Sequence, residues 1–307
     1  MNMIGSILAL SDLSDSAHAA LHRAAELAAS HEASLRLLYY DADRISRGSD
    51  PVPKLRWKAR RLARLYGLPV SVVDRPARGV SDVGAELGQA DLLVTHHRRV
   101  ARMPGPWRRD VSETLVRSRP VPVLVVKGPA RKPYAGVLAA VDQRDEAARR
   151  VASWACAVGS DADVDVLHVM RLLWPAAIRL SDIAAGAQRR RRQAALQQCA
   201  FELQRILQPV APWNAGLLRW ALAAGDSIEE ETLARQAESG AQLIVVGRST
   251  DTPWADMLLG NVSRRLLAAA PCDVLIVPVA SKGAGSLLRQ TQSRLSIPPV
   301  RRDAANG

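Results

Sequence analysis

The sequence contains few cysteines and few aromatic residues. Its 307 residues include 3 cysteines and 1 phenylalanine. Scattered thiols in odd number do not describe a disulfide framework or a zinc site. The apolar share of the composition is nevertheless 48%, which is ordinary for a globular protein, so aliphatic side chains must supply the core. The chain is long enough for one large domain or two of ordinary size.

Long apolar segments are missing as well. No apolar stretch approaches the roughly 20 residues that a membrane-spanning helix needs. The N-terminal segment has no basic leader, and Asp12 interrupts its short apolar run, which is not the pattern of a signal peptide. We therefore expect a cytoplasmic protein that does not insert into a membrane.

The motifs of common catalytic sites are also absent. The chain has neither a G-x-x-x-x-G-K-[ST] phosphate loop nor a G-x-S-x-G nucleophile turn. His96 and His97 lack companions at metal-ligand spacing and are expected to face solvent. Asp142 is the one strand-end acid placed for a ligand, and a single carboxylate does not form an acid–base pair. We predict a binding protein with no catalytic residue and no metal, rather than an enzyme.

One pattern occurs twice along the chain. Ile7–Asp12 and Val137–Asp142 are both short apolar strands that end in aspartate, and an alanine-rich helical stretch follows each, over residues 15–30 and 144–158. Further apolar segments repeat in the same order: Leu35–Tyr40 with Val164–Val169, Leu92–Val94 with Leu243–Val245, and Arg119–Val126 with Ala270–Val277. Equivalent segments lie 129 to 151 residues apart, which is too long for a solenoid and fits two tandem domains.

Each half alternates short β-branched strands with amphipathic stretches of helix length. This alternation predicts an α/β fold, with a parallel sheet covered by helices on both faces. We assign residues 1–130 to a first domain, 131–280 to a second, and 281–307 to a basic tail that is expected to be disordered. In such sheets, ligands bind beyond the carboxyl ends of the strands.

A loop in the second half has a glycine at each end, Gly247 and Gly260. A glycine after a strand permits a sharp turn and lets a ligand approach the backbone. The residues after Gly260 read as a helix start, where backbone N–H groups favour a phosphate. Side chains that could add donors or positive charge follow each glycine: Arg248, Asn261, Ser263, Arg264 and Arg265. Two tight turns of an α/β fold without a ligand would explain the same glycines.

Three features of the second half carry a family resemblance. They are the strand that ends in Val141-Asp142, the strand Val166–Val169, and the block Gly247-x2-Thr250-x9-Gly260-Asn261. In these features the chain resembles the universal stress protein family in its tandem form, over approximately residues 4–128 and 134–279. The resemblance implies two Rossmann-like domains of the adenine nucleotide alpha hydrolase-like type, each with a five-stranded parallel sheet. It also implies that they pair about a pseudo-twofold axis through Val121–Val126 and Val274–Val277.

The resemblance further implies a site for ATP or a related adenine nucleotide in the second domain. Asp142 would contact the adenosine, and the backbone of Val169 the adenine. Gly247 and Arg248 would line the ribose-phosphate region. The residues that would hold the phosphates are consecutive: Gly260, Asn261, Val262 and Ser263.

The second half departs from the family pattern at two positions. Nucleotide-binding members carry Gly-x2-Gly-x9-Gly followed by Ser or Thr, whereas here Thr250 replaces the second glycine and Asn261 the hydroxyl residue. The Cβ of Thr250 can crowd the phosphate loop, and Pro253 stiffens it. Asn261 still donates hydrogen bonds. Nucleotide binding is therefore weakened by sequence but not removed.

The first half departs much further. His96, Arg99 and Arg109 stand where Gly247, Thr250 and Gly260 stand later, and Asp110 takes the position of Asn261. Bulky side chains and a carboxylate oppose a phosphate by sterics and by charge. We expect the first domain to have lost the site and to remain as a structural partner.

Positive charge leaves a second function open. The net charge is +12, which favours anionic partners. Lys54–Tyr66 places bases on one helix face and Ala59, Leu62, Ala63 and Tyr66 on the other, and Arg189–Arg192 precedes a similar stretch. Three hypotheses follow: a nucleotide-binding regulator of the stress response, a nucleotide-free scaffold that binds a protein or nucleic acid through its basic helices, and a slow ATP hydrolase.

Overall fold

A computed structural model describes residues 3–41, 50–97, 121–129, 132–141, 145–170, 182–210, 217–249 and 261–279. The strands within these ranges are β1 Ser6–Ser11, β2 Ser34–Tyr39, β3 Val70–Val72, β4 Leu92–His96, β5 Val123–Val126, β6 Gly136–Val141, β7 Asp163–Met170, β8 Leu218–Ala224, β9 Leu243–Ser249 and β10 Asp273–Val279. The helices are α1 Asp15–Ser30, α2 Val52–Tyr66, α3 Val80–Leu87, α4 Asp145–Val158, α5 Asp182–Leu207, α6 Ile228–Ser239 and α7 Asn261–Ala269.

These strands form one sheet in the order β3-β2-β1-β4-β5-β10-β9-β6-β7-β8. All pairings within each half are parallel. The halves meet where β5 and β10 pair antiparallel, with Val125 opposite Val274. The predicted α/β fold with two parallel five-stranded halves is confirmed, and the halves join through the strands expected to join them.

Two helical layers cover the sheet because its strands are apolar on both sides. In β9, Leu243 and Val245 face the layer formed by α1, α2, α4 and α5, whereas Ile244 and Val246 face the layer of α3, α6 and α7. Each layer buries residues of both halves in one continuous cluster. Buried alanines on α1 and α4 take the place of the missing aromatic residues and let these helices pack closely.

The helix ends follow from local sequence. Ser14 caps α1 by accepting a hydrogen bond from the Ala17 backbone N–H, and Ser227 caps α6 in the same way from Glu230. Helix α2 ends at Gly67, whose φ of 66° is a left-handed conformation that glycine adopts without strain. These caps fix where each helix begins or ends relative to the sheet.

A buried carboxylate holds the two halves together beside the β5–β10 pairing. Asp273 starts β10 and is 4% exposed. Its Oδ1 accepts hydrogen bonds from the backbone N–H of Lys127 at 2.8 Å and of Gly128 at 3.2 Å, just beyond the end of β5. Its Oδ2 accepts one from the Tyr134 hydroxyl at 2.7 Å and lies 3.8 Å from Arg23 Nε. Burial, and then the charge of Asp273, raise the pKa of Tyr134 well above its usual value, so the phenol keeps its proton.

Arg23 of α1 completes this junction from the first half. Its guanidinium lies over the Tyr134 ring, 3.8 Å from the centroid. The same group donates to Glu26 at 2.7 Å and to the Lys132 backbone oxygen at 2.9 Å. The segment between the halves is therefore tied to α1 as well as to β10.

A histidine pair lies where α1 packs against α2. The rings of His18 and His22 meet edge to face with centroids 4.4 Å apart, and His22 Nδ1 lies 2.9 Å from the Tyr66 hydroxyl. Burial lowers the pKa of both histidines, and the positive charges of Lys58 and Arg61 lower it further. Both imidazoles are therefore held in the neutral form around neutral pH.

Replacing Asp273 with alanine should destabilise the protein strongly. The change removes the acceptor of three hydrogen bonds and the buried carboxylate 3.8 Å from Arg23 Nε, so we expect a loss of about 3–5 kcal/mol in the free energy of unfolding. Tyr134→Phe removes one hydrogen bond and should cost about 1 kcal/mol. Denaturant titrations followed by circular dichroism and by tryptophan fluorescence measure both. Small and equal losses would show that this network does not hold the junction.

The histidine pair should make stability depend on pH. Because the folded-state pKa of His18 and His22 lies below the ordinary value of 6.5, the unfolded chain binds protons more readily below that pH. Their contribution is fully present above pH 6.5 and is lost as the pH falls toward the folded pKa values. The melting temperature of His18→Gln/His22→Gln should therefore fall less steeply between about pH 7 and pH 5. Identical slopes for variant and wild type would contradict this.

Candidate functional site

The carboxyl ends of three neighbouring strands bring predicted site residues to one edge of the second half. Strand β6 lies between β9 and β7. In the sheet, Ala140 lies beside Val246 and Val141 lies beside His168. Gly247 and Arg248 follow Val246 on β9, and Val169 follows His168 on β7. Because the strands are parallel, these residues share the edge at which α/β sheets bind ligands.

The start of α7 is fastened to the end of β9. Ser263 is 2% exposed, and its hydroxyl donates to the Gly247 backbone oxygen at 3.1 Å. Val262 packs beside it, partly buried against the core. This contact holds the N-terminus of α7 at the edge of the sheet, with no acidic residue in its first turn. The positive end of the helix dipole therefore lies at the predicted phosphate region.

Gly247 also has a packing role. A Cβ at this position would lie 3.2 Å from Val151 Cγ2 on α4 and 3.4 Å from Val279 Cγ2 on β10. A side chain there would press on both neighbours, since protein interiors are close-packed. The glycine thus lets α4 lie close to the strand, which adds a second reason for its presence to the ligand access predicted from sequence.

The arginines near this edge differ in environment. Arg248 is 6% exposed, and alternation along β9 places it on the side of Ile244 and Val246, toward α6 and α7. Arg264 is exposed, whereas Arg265 forms an ion pair with Glu229 at the start of α6. Arg265 is therefore engaged within the protein, and the cation nearest the strand end is Arg248.

His168 supports the end of β6 from the next strand. It is 1% exposed, and its Nδ1 lies 3.2 Å from the Val141 backbone oxygen. A carbonyl oxygen only accepts, so Nδ1 carries the proton in this contact. The histidine fixes the last residue of β6, which directly precedes Asp142.

The corresponding place in the first half is occupied by a histidine–aspartate contact. His96 pairs with Val126 in the sheet as Gly247 pairs with Val277, so the two positions are equivalent. His96 Nε2 lies 3.3 Å from Asp12 Oδ2, with both side chains 10% exposed. The prediction that His96 faces solvent is wrong: the imidazole turns inward because the Asp12 carboxylate, just beyond the end of neighbouring β1, offers a partner.

Asp12 is held as a carboxylate by these contacts. Burial alone would raise its pKa, but hydrogen bonds from His96 and Ser14 outweigh burial and hold the pKa well below its usual range. The Ser14 backbone N–H donates to Asp12 Oδ1 at 2.9 Å. The first-half aspartate is thus engaged by protein groups on both oxygens.

A cavity of about 760 Å³ opens beside the contact between His96 and Asp12. It reaches across to the second half, where the backbone oxygen of Ala270 accepts a hydrogen bond from Lys127 Nζ at 2.7 Å. Its lining residues include Asp12, Ser14, His96, His97, Lys127 and Ala268–Pro271. The lining is largely polar, and it includes the imidazole that replaces the glycine of the second half.

The universal stress protein family model matches residues 3–127 and 133–278. The chain belongs to the universal stress protein family. A crystal structure of a universal stress protein from Archaeoglobus fulgidus is 16% identical over 91% of this chain and 98% of that one, with a TM-score of 0.62. A functionally unknown protein from Pseudomonas aeruginosa is 21% identical over 95% of each chain, with a TM-score of 0.61. At these identities the likeness shows the shared fold. A search of curated protein sequences finds no match.

Part of the predicted universal stress protein site lies outside the described residues. These positions are Asp142, Thr250, Pro253 and Gly260 in the second half, Arg99, Arg109 and Asp110 in the first, and the tail 281–307. Asn261 begins α7, but its side chain is not among those that the structure describes. The structure therefore places Val169, Gly247, Arg248, Val262 and Ser263 together, and the site as a whole stays a prediction.

The described residues of this universal stress protein offer neither a metal site nor a reactive cysteine. No group of three or more His, Cys, Asp or Glu among the described residues could hold a metal. Cys156, Cys199 and Cys272 are free, and burial raises the pKa of each to about 11, so they are protonated and weakly nucleophilic. In the described part of the chain, no helix has both the length and the apolar character to cross a membrane.

Sequence reasoning missed the two contacts that organise the edges. The sequence did contain a sign of the His96–Asp12 contact, because each residue stands at the end of an apolar stretch and β1 and β4 are neighbours in this fold. The Ser263–Gly247 contact had none, because a side chain that bonds a backbone oxygen 16 residues away leaves no pattern in one sequence.

Gly247→Ala tests the packing at the strand end. The added methyl group meets Val151 and Val279, so we expect a loss of about 1–3 kcal/mol in the free energy of unfolding. Val151→Ala alone should also destabilise, because it opens a cavity. The double variant should lose clearly less than the sum of the single losses, since the smaller side chain makes room for the methyl group. If denaturant titrations show that the two single losses simply add, the methyl group does not press on Val151.

Proposed function

We propose that this universal stress protein acts in the cytoplasm as a stress-response regulator that binds an adenine nucleotide, such as ATP, in its second half. The observation that supports the proposal most is the hydrogen bond from Ser263 to Gly247. It keeps the N-terminus of α7 directly beside the carboxyl end of β9. A helix start facing the edge of a parallel sheet is a favourable place for a phosphate chain.

The charges around this edge fit an anionic ligand. The first turn of α7 carries no carboxylate that would repel phosphate oxygens. Arg264 is exposed on that turn, and Arg248 is buried on β9. Charge-assisted hydrogen bonds from such groups are the strong contacts in phosphate sites.

In this proposal each strand end contacts a different part of the nucleotide. Asp142 contacts the adenosine, the Val169 backbone contacts the adenine, and Gly247 with Arg248 lines the ribose and first phosphate. The phosphates lie on the turn formed by Gly260, Asn261, Val262 and Ser263. The described residues of this arrangement already lie on β7, β9 and α7, so ligand binding needs no rearrangement of the sheet.

The first half serves as a support. Its Asp12 has both oxygens engaged by His96 and Ser14, so the acid that would meet adenosine is not available. The first half also carries the His96 side chain where the second half has Gly247. The proposal is therefore one nucleotide for each chain.

Binding without turnover follows from the side chains present. Among the described residues at the carboxyl ends of β6, β7 and β9, His168 is the one side chain that could act as a base, and it is buried and bonded to Val141. Slow hydrolysis, the third hypothesis from sequence, would require release of product that Asp142→Ala abolishes. The scaffold hypothesis predicts partner binding that does not change when ATP is added.

Gly260→Arg is the sharpest variant, because it places in the second half the residue that Arg109 provides in the first. Wild type should show a rise in melting temperature with ATP; at a ligand concentration 100 times the Kd the stabilisation is about 2.7 kcal/mol. Gly260→Arg should abolish the shift. Gly88→Arg makes the same change at an exposed glycine in the first half and should keep it. Both variants are checked for folding by circular dichroism.

Two outcomes would overturn the proposal. The first is a wild-type protein whose melting temperature does not move with millimolar ATP. The second is an equal loss of the ATP response in Gly88→Arg and Gly260→Arg, which would assign the effect to charge rather than to the site.

A further inference from the structure

The outer face of α2 concentrates positive charge. The inner side of this helix is fixed against the sheet by buried apolar residues: Val52, Leu55, Ala59 and Leu62. The remaining positions carry basic side chains and no acidic one: Lys54, Arg56, Lys58, Arg60, Arg61 and Arg64. All of these are exposed except Lys58, which is half-buried. The packing of α2 therefore turns its bases outward.

Two large apolar side chains protrude from the same face. Trp57 is 56% exposed and Leu65 is 62% exposed. They lie eight positions apart, which puts them on one side of a helix. Arg61 stands midway between them, with its guanidinium 5.8 Å from the centroid of the Trp57 ring. We call Trp57, Arg61 and Leu65 the outer stripe of α2.

Little within the protein neutralises this face. Among the described residues, Arg56 is the one base of α2 in an ion pair, with Asp74 at 2.6 Å, and both side chains are more than half exposed. Arg64 Nε contacts the backbone oxygen of Arg60 instead of a carboxylate. Exposed pairs of this kind contribute little, so the positive field of the helix reaches solvent.

We propose that the outer stripe of α2 and the bases around it dock on the surface of an anionic phospholipid bilayer. Lys and Arg side chains attract acidic lipid head groups. Tryptophan side chains favour the membrane–water interface, and a neighbouring leucine adds shallow apolar contact. The binding is peripheral: the inner face of α2 stays packed on the sheet while the outer stripe meets the lipid.

The stripe fits a bilayer better than a nucleic acid. Proteins that bind single strands use several aromatic side chains along a basic groove, on which successive bases stack. Here one tryptophan stands on a convex helix, and Leu65 has no π face on which a base could stack. An apolar side chain surrounded by bases is useful at a lipid surface, where both head groups and acyl chains are within reach.

Vesicle sedimentation with the full chain tests the proposal. The protein should sediment with vesicles of phosphatidylcholine and phosphatidylglycerol at about two to one, and not with phosphatidylcholine alone. Arg60→Gln/Arg61→Gln should weaken binding by about five-fold per charge at low salt. Trp57→Gln keeps the charge and should still weaken binding several-fold. Brominated lipid should quench wild-type tryptophan fluorescence more than that of Trp57→Phe.

Arg149→Gln/Arg150→Gln is the matched control. It removes the same charge from an exposed adjacent pair on α4, which has no exposed large apolar residue among the described ones. It should bind vesicles almost as wild type does. If the two double variants lose vesicle binding equally, net charge alone explains the loss and the proposal is overturned. So would binding to single-stranded RNA without vesicle binding, or no binding to either.

Discussion

The structure depends on the antiparallel contact between β5 and β10 and on the carboxylate beside it. Asp273 accepts two backbone N–H groups from the end of β5 and the hydroxyl of Tyr134. A buried charge of this kind is tolerated only with its partners in place, so the halves are fixed in one register. As a result, two similar α/β units form one sheet and two shared cores, and the end of α7 lies against the first-half cleft.

The two halves have the same arrangement of strands and helices but differ in the side chains that stabilise its edges. Asp91 accepts from Gly5 and Ser6 at the start of β4, and Gln242 does the same for Ala135 in the second half. Arg36 of β2 pairs with Glu86 of α3, whereas Asp165 of β7 pairs with Arg235 of α6. The base lies on the strand in the first half and on the helix in the second, but the ion pair between strand and helix is kept. The registers pair Leu93 with Val123 and Ile244 with Val274, which makes Pro122 the counterpart of Asp273, so the junction network has no duplicate.

Regular elements could be predicted because their signal is local. The alternation of apolar strands and alanine-rich helices is written in consecutive residues, and the helix predicted over residues 15–30 is the observed α1. Contacts between distant residues could not be predicted in the same way. Asp273 and Tyr134 are 139 positions apart, and a single sequence contains nothing that links them. The same holds for the space around Gly247, since the need for a glycine there comes from Val151 on another helix.

The functional account rests on the difference between the two equivalent strand ends. In the first half the aspartate and the histidine satisfy each other. In the second half Gly247 stands at the equivalent position of β9, and Ser263 holds a helix N-terminus beside it. Native mass spectrometry of the purified full chain tests this difference most directly. The account predicts a mass increase equal to one adenine nucleotide for each chain; two nucleotides, or none after incubation with excess ATP, would contradict it.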